Sequence, residues 1–111
     1  MRIINILELP FLIKGDSMDE NEEEEFFRMI GLTGTKRILS YLDGHGKAQY
    51  KEFAEFLNIH TLNVRLQQLL RFNLIEHHLT RKDVRKEWYT ITEKGRKILK
   101  HVEDMLKLIE L

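Results

Sequence analysis

Between Thr61 and Ile91 the chain carries residue types suited to reading and gripping a polyanion. From about His60 to Phe72, Leu62, Leu66 and Leu69 recur at the spacing of one helical stripe. The opposite side of that helix shows His60, Thr61, Val64, Gln67, Gln68 and Arg71, with Asn63 and Arg65 on its flanks. Glutamine and asparagine can pair at two points with adenine and arginine with guanine, and Val64 could touch a thymine methyl. The face therefore suits base edges in a major groove. Directly behind it comes a hairpin with the tip Arg81-Lys82-Asp83-Val84-Arg85-Lys86. Arg81, Lys82, Arg85 and Lys86 suit phosphates or a minor groove, and four cations in six residues exceed what a solvated loop needs. Lys94, Arg96, Lys97 and Lys100 carry positive charge into the last helix, some of it offset by nearby acids. Alone, the polar helix face is an ordinary solvated surface. The basic hairpin beside it is what points to duplex DNA.

Other chemistry is sparse. His77 and His78 alternate on a strand, so their rings lie on opposite faces and cannot chelate one ion. His101 and Asp104, at i and i+3 on the last helix, lack the further ligands a metal needs and read as surface residues. There is no glycine-rich phosphate loop, no Ser/His/Asp grouping and no supported carboxylate pair. Neither catalysis nor a cofactor is expected.

The elements that position these residues belong to a small protein. With 111 residues the chain reads as one folding unit with a modest core, of a size that often gains stability from a partner subunit. Apolar residues make up 42% and charged ones 32%, which suits a soluble globular protein rather than a disordered one. The absence of cysteine excludes a disulfide framework and cysteine-built zinc sites, and suits a reducing cytoplasm. The net charge of zero conceals segregation. Residues 1 to 31 hold three basic and eight acidic residues, the rest fifteen basic and ten acidic, so an acidic leader precedes a basic body. No apolar run reaches the ~18 to 20 residues of a membrane span. Ile3 to Ile13 is broken by Glu8 and Pro10 and lacks a cleavage site, so it reads as a segment that packs on the body or on a partner.

Asp19 to Ile30 predicts a helix with Phe26, Phe27 and Ile30 on its apolar face and acids in its first turns. Glu22 to Glu25 read as a solvated helix start, or alternatively as an acidic patch competing with DNA for the basic surface. Thr33 or Thr35 is positioned to cap the next helix, which carries Ile38, Leu39 and Leu42 and ends at the turn Asp43-Gly44-His45-Gly46. Lys47 to Gln49 predicts a short extended piece, Tyr50 to Leu57 a second short helix with Phe53, Ala54 and Leu57 inward, and Asn58 a left-handed turn. Asn73 closes the third helix where glycine or asparagine is expected. The strands follow, with Ile75, His77 and Leu79 on one face of the first and Tyr89 and Ile91 inward from the second, Glu87 to Ile91. Thr92 then caps a last helix of about 19 residues. Its Ile98, Val102, Met105 and Ile109 repeat at spacings of 4, 3 and 4, widened by Leu99, Leu106 and Leu108. That is a heptad-like, coiled-coil seam suited to pairing two copies through Ile98, Leu99, Val102, Met105, Leu106 and Ile109.

Leu62-x3-Leu66-x2-Leu69-x3-Asn73-Leu74-Ile75, followed by Trp88-Tyr89-Thr90-Ile91-Thr92-Glu93-Lys94-Gly95, resembles the winged-helix regulator superfamily, with its phrase Y-x-I/L-T-E-K-G. The short link Leu57-Asn58-Ile59 brings the chain nearer to small archaeal winged-helix proteins that dimerise through a C-terminal helix. The resemblance covers about residues 33 to 111, and residues 1 to 31 have no counterpart in it. It implies an α+β, mostly α fold: a winged helix with a two- or three-stranded wing sheet and a long C-terminal dimerisation helix. Residues 1–31 would form an apolar segment plus acidic helix, 32–92 the DNA-binding domain and 93–111 the dimerisation helix. Carried over, the resemblance places Thr61, Asn63, Val64, Gln67 and Gln68 against DNA, Arg81 to Lys86 at the wing tip and Ile98 to Ile109 in a dimer seam. The expected protein is a cytoplasmic homodimer that binds specific double-stranded DNA as a transcriptional regulator, neither enzyme nor membrane protein. The alternatives are sequence-independent architectural DNA binding and a winged helix used for protein–protein contact. The sequence names no small-molecule effector.

Overall fold

Each helix begins where the sequence offers its first free backbone N–H groups an acceptor. The computed structural model describes residues 18–110, so the expectation for Ile3 to Ile13 lies outside it. Helix α1, Glu20–Ile30, starts with a reciprocal pair: Asp19 Oδ1 accepts from the Glu22 N–H at 2.8 Å, and Glu22 Oε1 from the Asp19 N–H at 3.1 Å. Met29 is its fully buried residue, whereas Phe27, expected on the apolar face, is 68% exposed. Phe26 instead packs edge-on against Phe72. Helix α2, Thr35–His45, follows a left-handed Gly34 with no side-chain cap. Neither threonine acts as cap: Thr35 is buried and its hydroxyl donates to the Met29 carbonyl at 2.7 Å. The glycine turn also starts later than predicted. Asp43, Gly44 and His45 stay helical, and only Gly46 turns left-handed.

Helix α3 is confined to Tyr50–Phe53, shorter than the predicted span to Leu57. Phe53 is fully buried among Tyr41, Phe56 and Tyr89, with ring centroids 5.8 to 6.2 Å away. Helix α4, Ile59–Arg71, is capped by Asn58, whose backbone is extended rather than left-handed and whose Oδ1 accepts from the Thr61 N–H at 2.8 Å. Replacing Asn58 by alanine is expected to cost about 1 kcal/mol and to lower the melting midpoint by about 4 °C, read by thermal unfolding. Leu62, Leu66 and Leu69 point into the core, each contributing about 1.5–3 kcal/mol on burial. Asn73 ends α4 in the left-handed conformation, letting the Leu74 N–H reach back to the Leu69 carbonyl at 2.9 Å.

Strands β1, Ile75–Thr80, and β2, Lys86–Ile91, pair antiparallel with Ile75 opposite Ile91 and His77 opposite Tyr89. Only their base is buried. From His77 outward the ribbon projects, leaving Leu79 exposed. The Lys47 to Gln49 stretch adds one bridge, in which Ala48 and Tyr89 exchange backbone hydrogen bonds of 3.1 and 2.8 Å. The wing sheet thus has two full strands and a third reduced to a single residue.

Helix α5, Glu93–Ile109, starts at Thr92, whose hydroxyl accepts from the Gly95 N–H at 2.9 Å and donates to the Asn73 carbonyl at 2.7 Å. It packs on α2. Leu99, expected in the dimer seam, is instead only 3% exposed in the protomer's own core, and the partly buried Ile98 packs against that core. Helix–turn–helix, two-stranded ribbon and closing helix make a mostly helical α+β winged helix. No helix among the described residues is long and apolar enough to cross a membrane.

Candidate nucleic-acid interface

With its leucine stripe inward, α4 turns His60, Asn63, Val64, Gln67 and Arg71 to the exterior. Thr61 and Gln68 are half-buried on the flank facing the α1–α2 turn. Arg65 departs from expectation. It is only 8% exposed, its Nε donates to the Thr33 carbonyl at 3.1 Å, and its Nη1 donates to Gln68 Oε1 at 2.7 Å. The side chain is buried and its guanidinium is held by the protein, so Arg65 fastens the helix rather than offering a free cation. Arg71 is also engaged: it forms an ion pair with Glu25 of α1 and lies over the Phe72 ring. One residue of the acidic run therefore reaches the C-terminal end of α4. Glu24, by contrast, pairs with Arg28 on its own helix.

Asn63 carries a contact the sequence did not suggest. The Tyr50 hydroxyl of α3 donates to its Oδ1 at 2.6 Å. Tyr50 is set in place by its neighbour Glu52. The Gln49 N–H donates to Glu52 Oε2 and the Tyr41 hydroxyl to Oε1, both at 2.7 Å, so α3 is tied to α2. These donors, the Gln49 N–H first, hold the Glu52 carboxyl below its usual range, and the same hydrogen bond raises the Tyr41 phenol. The stabilisation from Glu52 is full above the ordinary carboxylate range and fades as pH falls through its lowered pKa.

At the wing all four predicted cations are exposed. Glu87 accepts from Arg85 at 3.2 Å and lies 3.0 Å from His77 Nε2, so Arg85 is partly neutralised. Among the described residues Arg81, Lys82 and Lys86 form no ion pair. A cleft between α3 and the wing is lined by Tyr50, Lys51, His77, Arg85, Lys86 and Tyr89. It joins the α4 side, through the Tyr50–Asn63 bond, to the basic ribbon. On the other face of the ribbon Trp88 stacks on His78, with the Lys47 ammonium 5.9 Å from the Trp88 ring. Tyr50 and Lys51 thus join the cleft side of the basic ribbon, and Lys47 lies on its other face. Sequence gives no signal for this, because the packing of α3 against α4 and β2 sets it. On α5, Asp104 accepts from Lys100 at 3.2 Å, and no group of three possible metal ligands comes together among the described residues.

The profile of the HxlR-like helix-turn-helix family matches residues 30–111, the whole span from the end of α1 onward. The chain belongs to that family. No curated protein sequence matches this HxlR-like chain. Its fold recurs in solved structures. The reduced form of the Bacillus subtilis transcriptional regulator YodB is 24% identical over 82% of this chain and 90% of that one, with a TM-score of 0.66. The redox regulator HypR in its oxidised form is 20% identical over 78% and 91%, with a TM-score of 0.64. A MarR-family transcriptional regulator from Enterococcus faecalis is 15% identical over 88% and 92%, with a TM-score of 0.67. At these identities the likeness is one of fold.

Proposed function

We propose that this HxlR-like protein is a DNA-binding transcription regulator that acts as a homodimer. Helix α4 enters the major groove of double-stranded DNA and the wing rests on the backbone or in the minor groove. The observation that carries the reading is the continuity of the surface. Asn63, Tyr50, Lys51, Arg85 and Lys86 follow one another from helix to ribbon without an intervening element. Phosphate contacts would supply much of the affinity, and the exposed residues of α4 the sequence preference. YodB and HypR are themselves regulators, which supports a regulatory role, and the short Leu57–Ile59 link supports kinship with the small archaeal proteins. HypR is a redox regulator. This chain has no cysteine to oxidise, so thiol chemistry within it cannot be its control.

The test is competition between random duplex and sites recovered by in-vitro selection. A regulator should prefer its selected site by ~10³-fold or more. Equal binding would favour an architectural role, and no shift at ~50 mM salt would favour a protein-binding winged helix. Dimerisation rests on the last turns of α5, where Met105, Leu106 and Ile109 are exposed beyond the core and Val102 is half-buried. A run of exposed apolar residues on one helix end marks a surface for contact with another protein. Met105→Glu is expected to give monomers in sedimentation at micromolar concentration. A persisting dimer would move the interface elsewhere.

A further inference from the structure

Base recognition by a carboxamide depends on which of its two ends reaches the groove. Pairing at two points with adenine needs both: an N–H toward N7 and the oxygen toward the N6 amino group. On α4 two carboxamides have their oxygens drawn back into the protein. Gln68 Oε1 takes the Arg65 Nη1 donor at 2.7 Å, and Asn63 Oδ1 takes the Tyr50 hydroxyl at 2.6 Å. The Gln68 orientation follows from chemistry alone, because a guanidinium only donates and so must face the oxygen, not the amide nitrogen. Arg65 has no freedom to turn away, being buried and fixed to the Thr33 carbonyl at 3.1 Å. Tyr50 is anchored by the α3 packing that places Phe53 in the core and Glu52 on Tyr41. Among the described residues neither amide nitrogen has an internal hydrogen-bond partner, so each is left to donate to DNA, Asn63 from the exposed face and Gln68 from the half-buried flank.

The geometry points to Tyr50 and Arg65 as positioning residues that draw the amide oxygens of Asn63 and Gln68 inward, so that each side chain reads keto bases in preference to adenine. In the major groove guanine offers O6 and N7 and thymine offers O4 as acceptors, whereas cytosine and adenine present amino donors at the corresponding place. An outward N–H₂ is matched by the first pair and opposed by the second. The two-point adenine pairing that the sequence suggests for these residues would need each oxygen, one lone pair already taken by its internal donor, to accept the adenine amino group on the other. Turning the oxygen fully outward would leave the buried Arg65 short of one partner. The inference rests on the proposed binding of duplex DNA by α4.

In-vitro selection of bound duplex by the full chain and by isosteric variants tests it. Asn63→Ala and Gln68→Ala first identify the base positions each residue reads. At those positions the wild type is expected to enrich guanine or thymine over adenine by about tenfold, the scale of one good base contact. Asn63→Asp and Gln68→Glu keep the internal hydrogen bonds but turn an oxygen outward, so each should invert its position toward cytosine or adenine. Tyr50→Phe frees Asn63 Oδ1 and should raise adenine at the Asn63 position alone, with the melting midpoint checked to confirm folding. A merely structural Tyr50 would lower affinity without moving that preference. Adenine enriched by the wild type, or positions indifferent to all five substitutions while specific binding persists, overturns the inward-oxygen assignment and leaves DNA binding standing. Failure of every variant and the wild type to select any duplex at ~50 mM salt overturns the DNA reading itself.

Discussion

Alanine at Arg81, Lys82, Arg85 and Lys86 together is expected to weaken DNA binding for every sequence and to flatten its salt dependence. Each phosphate neutralised by a cation contributes ~0.9 to the slope of log affinity against log salt. Four unencumbered cations would remove ~3.6 units. Arg85 already shares Glu87 with His77, so the expected loss is nearer ~3 units. Over a fourfold rise in salt, from ~50 to ~200 mM, the wild type should therefore lose ~60-fold more affinity than the variant. The fold should be indifferent, because all four side chains are exposed at the ribbon tip and surface substitutions of this kind stay within about 0.5 kcal/mol. Fluorescence anisotropy across a salt series reads both quantities. An unchanged slope would remove the wing from the interface and leave α4 to carry the binding alone.

What was legible in the sequence is what local periodicity and capping decide. The Leu62, Leu66, Leu69 stripe, the left-handed Asn73, the inward Ile91 and the Thr92 cap depend on residues a few positions apart, and the structure has them as the pattern implies. Arg65 shows where that legibility ends. Its position on the helical wheel puts it on a flank, and only the approach of Thr33, 32 residues earlier in the chain, decides that the flank is inside. Leu99 fails for the same reason. The heptad spacing marks an apolar stripe, but α5 crossing α2 determines how much of the stripe the protomer buries for itself. The stripe splits near Val102: Leu99 and Ile98 serve the core, and Met105, Leu106 and Ile109 are left outside. Met29 and Phe27 exchange roles because α1 docks by its Met29 face, under the Thr35 hydroxyl. Tyr50 was out of reach, since its bond to Asn63 spans two elements whose angle no periodicity encodes.

Gly95→Ala is expected to be the most damaging glycine-to-alanine change among the described residues, by loss of space rather than of backbone freedom. The Gly95 backbone is not left-handed. A Cβ there would stand 2.1 Å from the Leu74 carbonyl oxygen and 2.9 Å from Ile91 Cγ1, and the first of these is backbone that cannot rotate aside. To admit it, α5 must lift off the base of the wing. Lifting strains the Thr92 N–H to Leu74 carbonyl bond of 3.1 Å and the Thr92 hydroxyl to Asn73 carbonyl bond of 2.7 Å. Those two bonds join the end of α4, the start of β1 and the start of α5, so the substitution loosens the angle between recognition helix and ribbon. Overpacking of this kind costs about 3 kcal/mol, which for a chain of this size lowers the melting midpoint by about 12 °C. Gly44→Ala provides the opposite sign from the same chemical change. Gly44 lies inside α2, with nothing within 4 Å of its would-be Cβ, so alanine should stabilise by up to about 1 kcal/mol through helix propensity. Thermal unfolding of the two variants side by side separates crowding from propensity. If Gly95→Ala melts with the wild type, α5 does not sit against Leu74, and the glycine of the Thr-Glu-Lys-Gly phrase has no steric purpose in this protein.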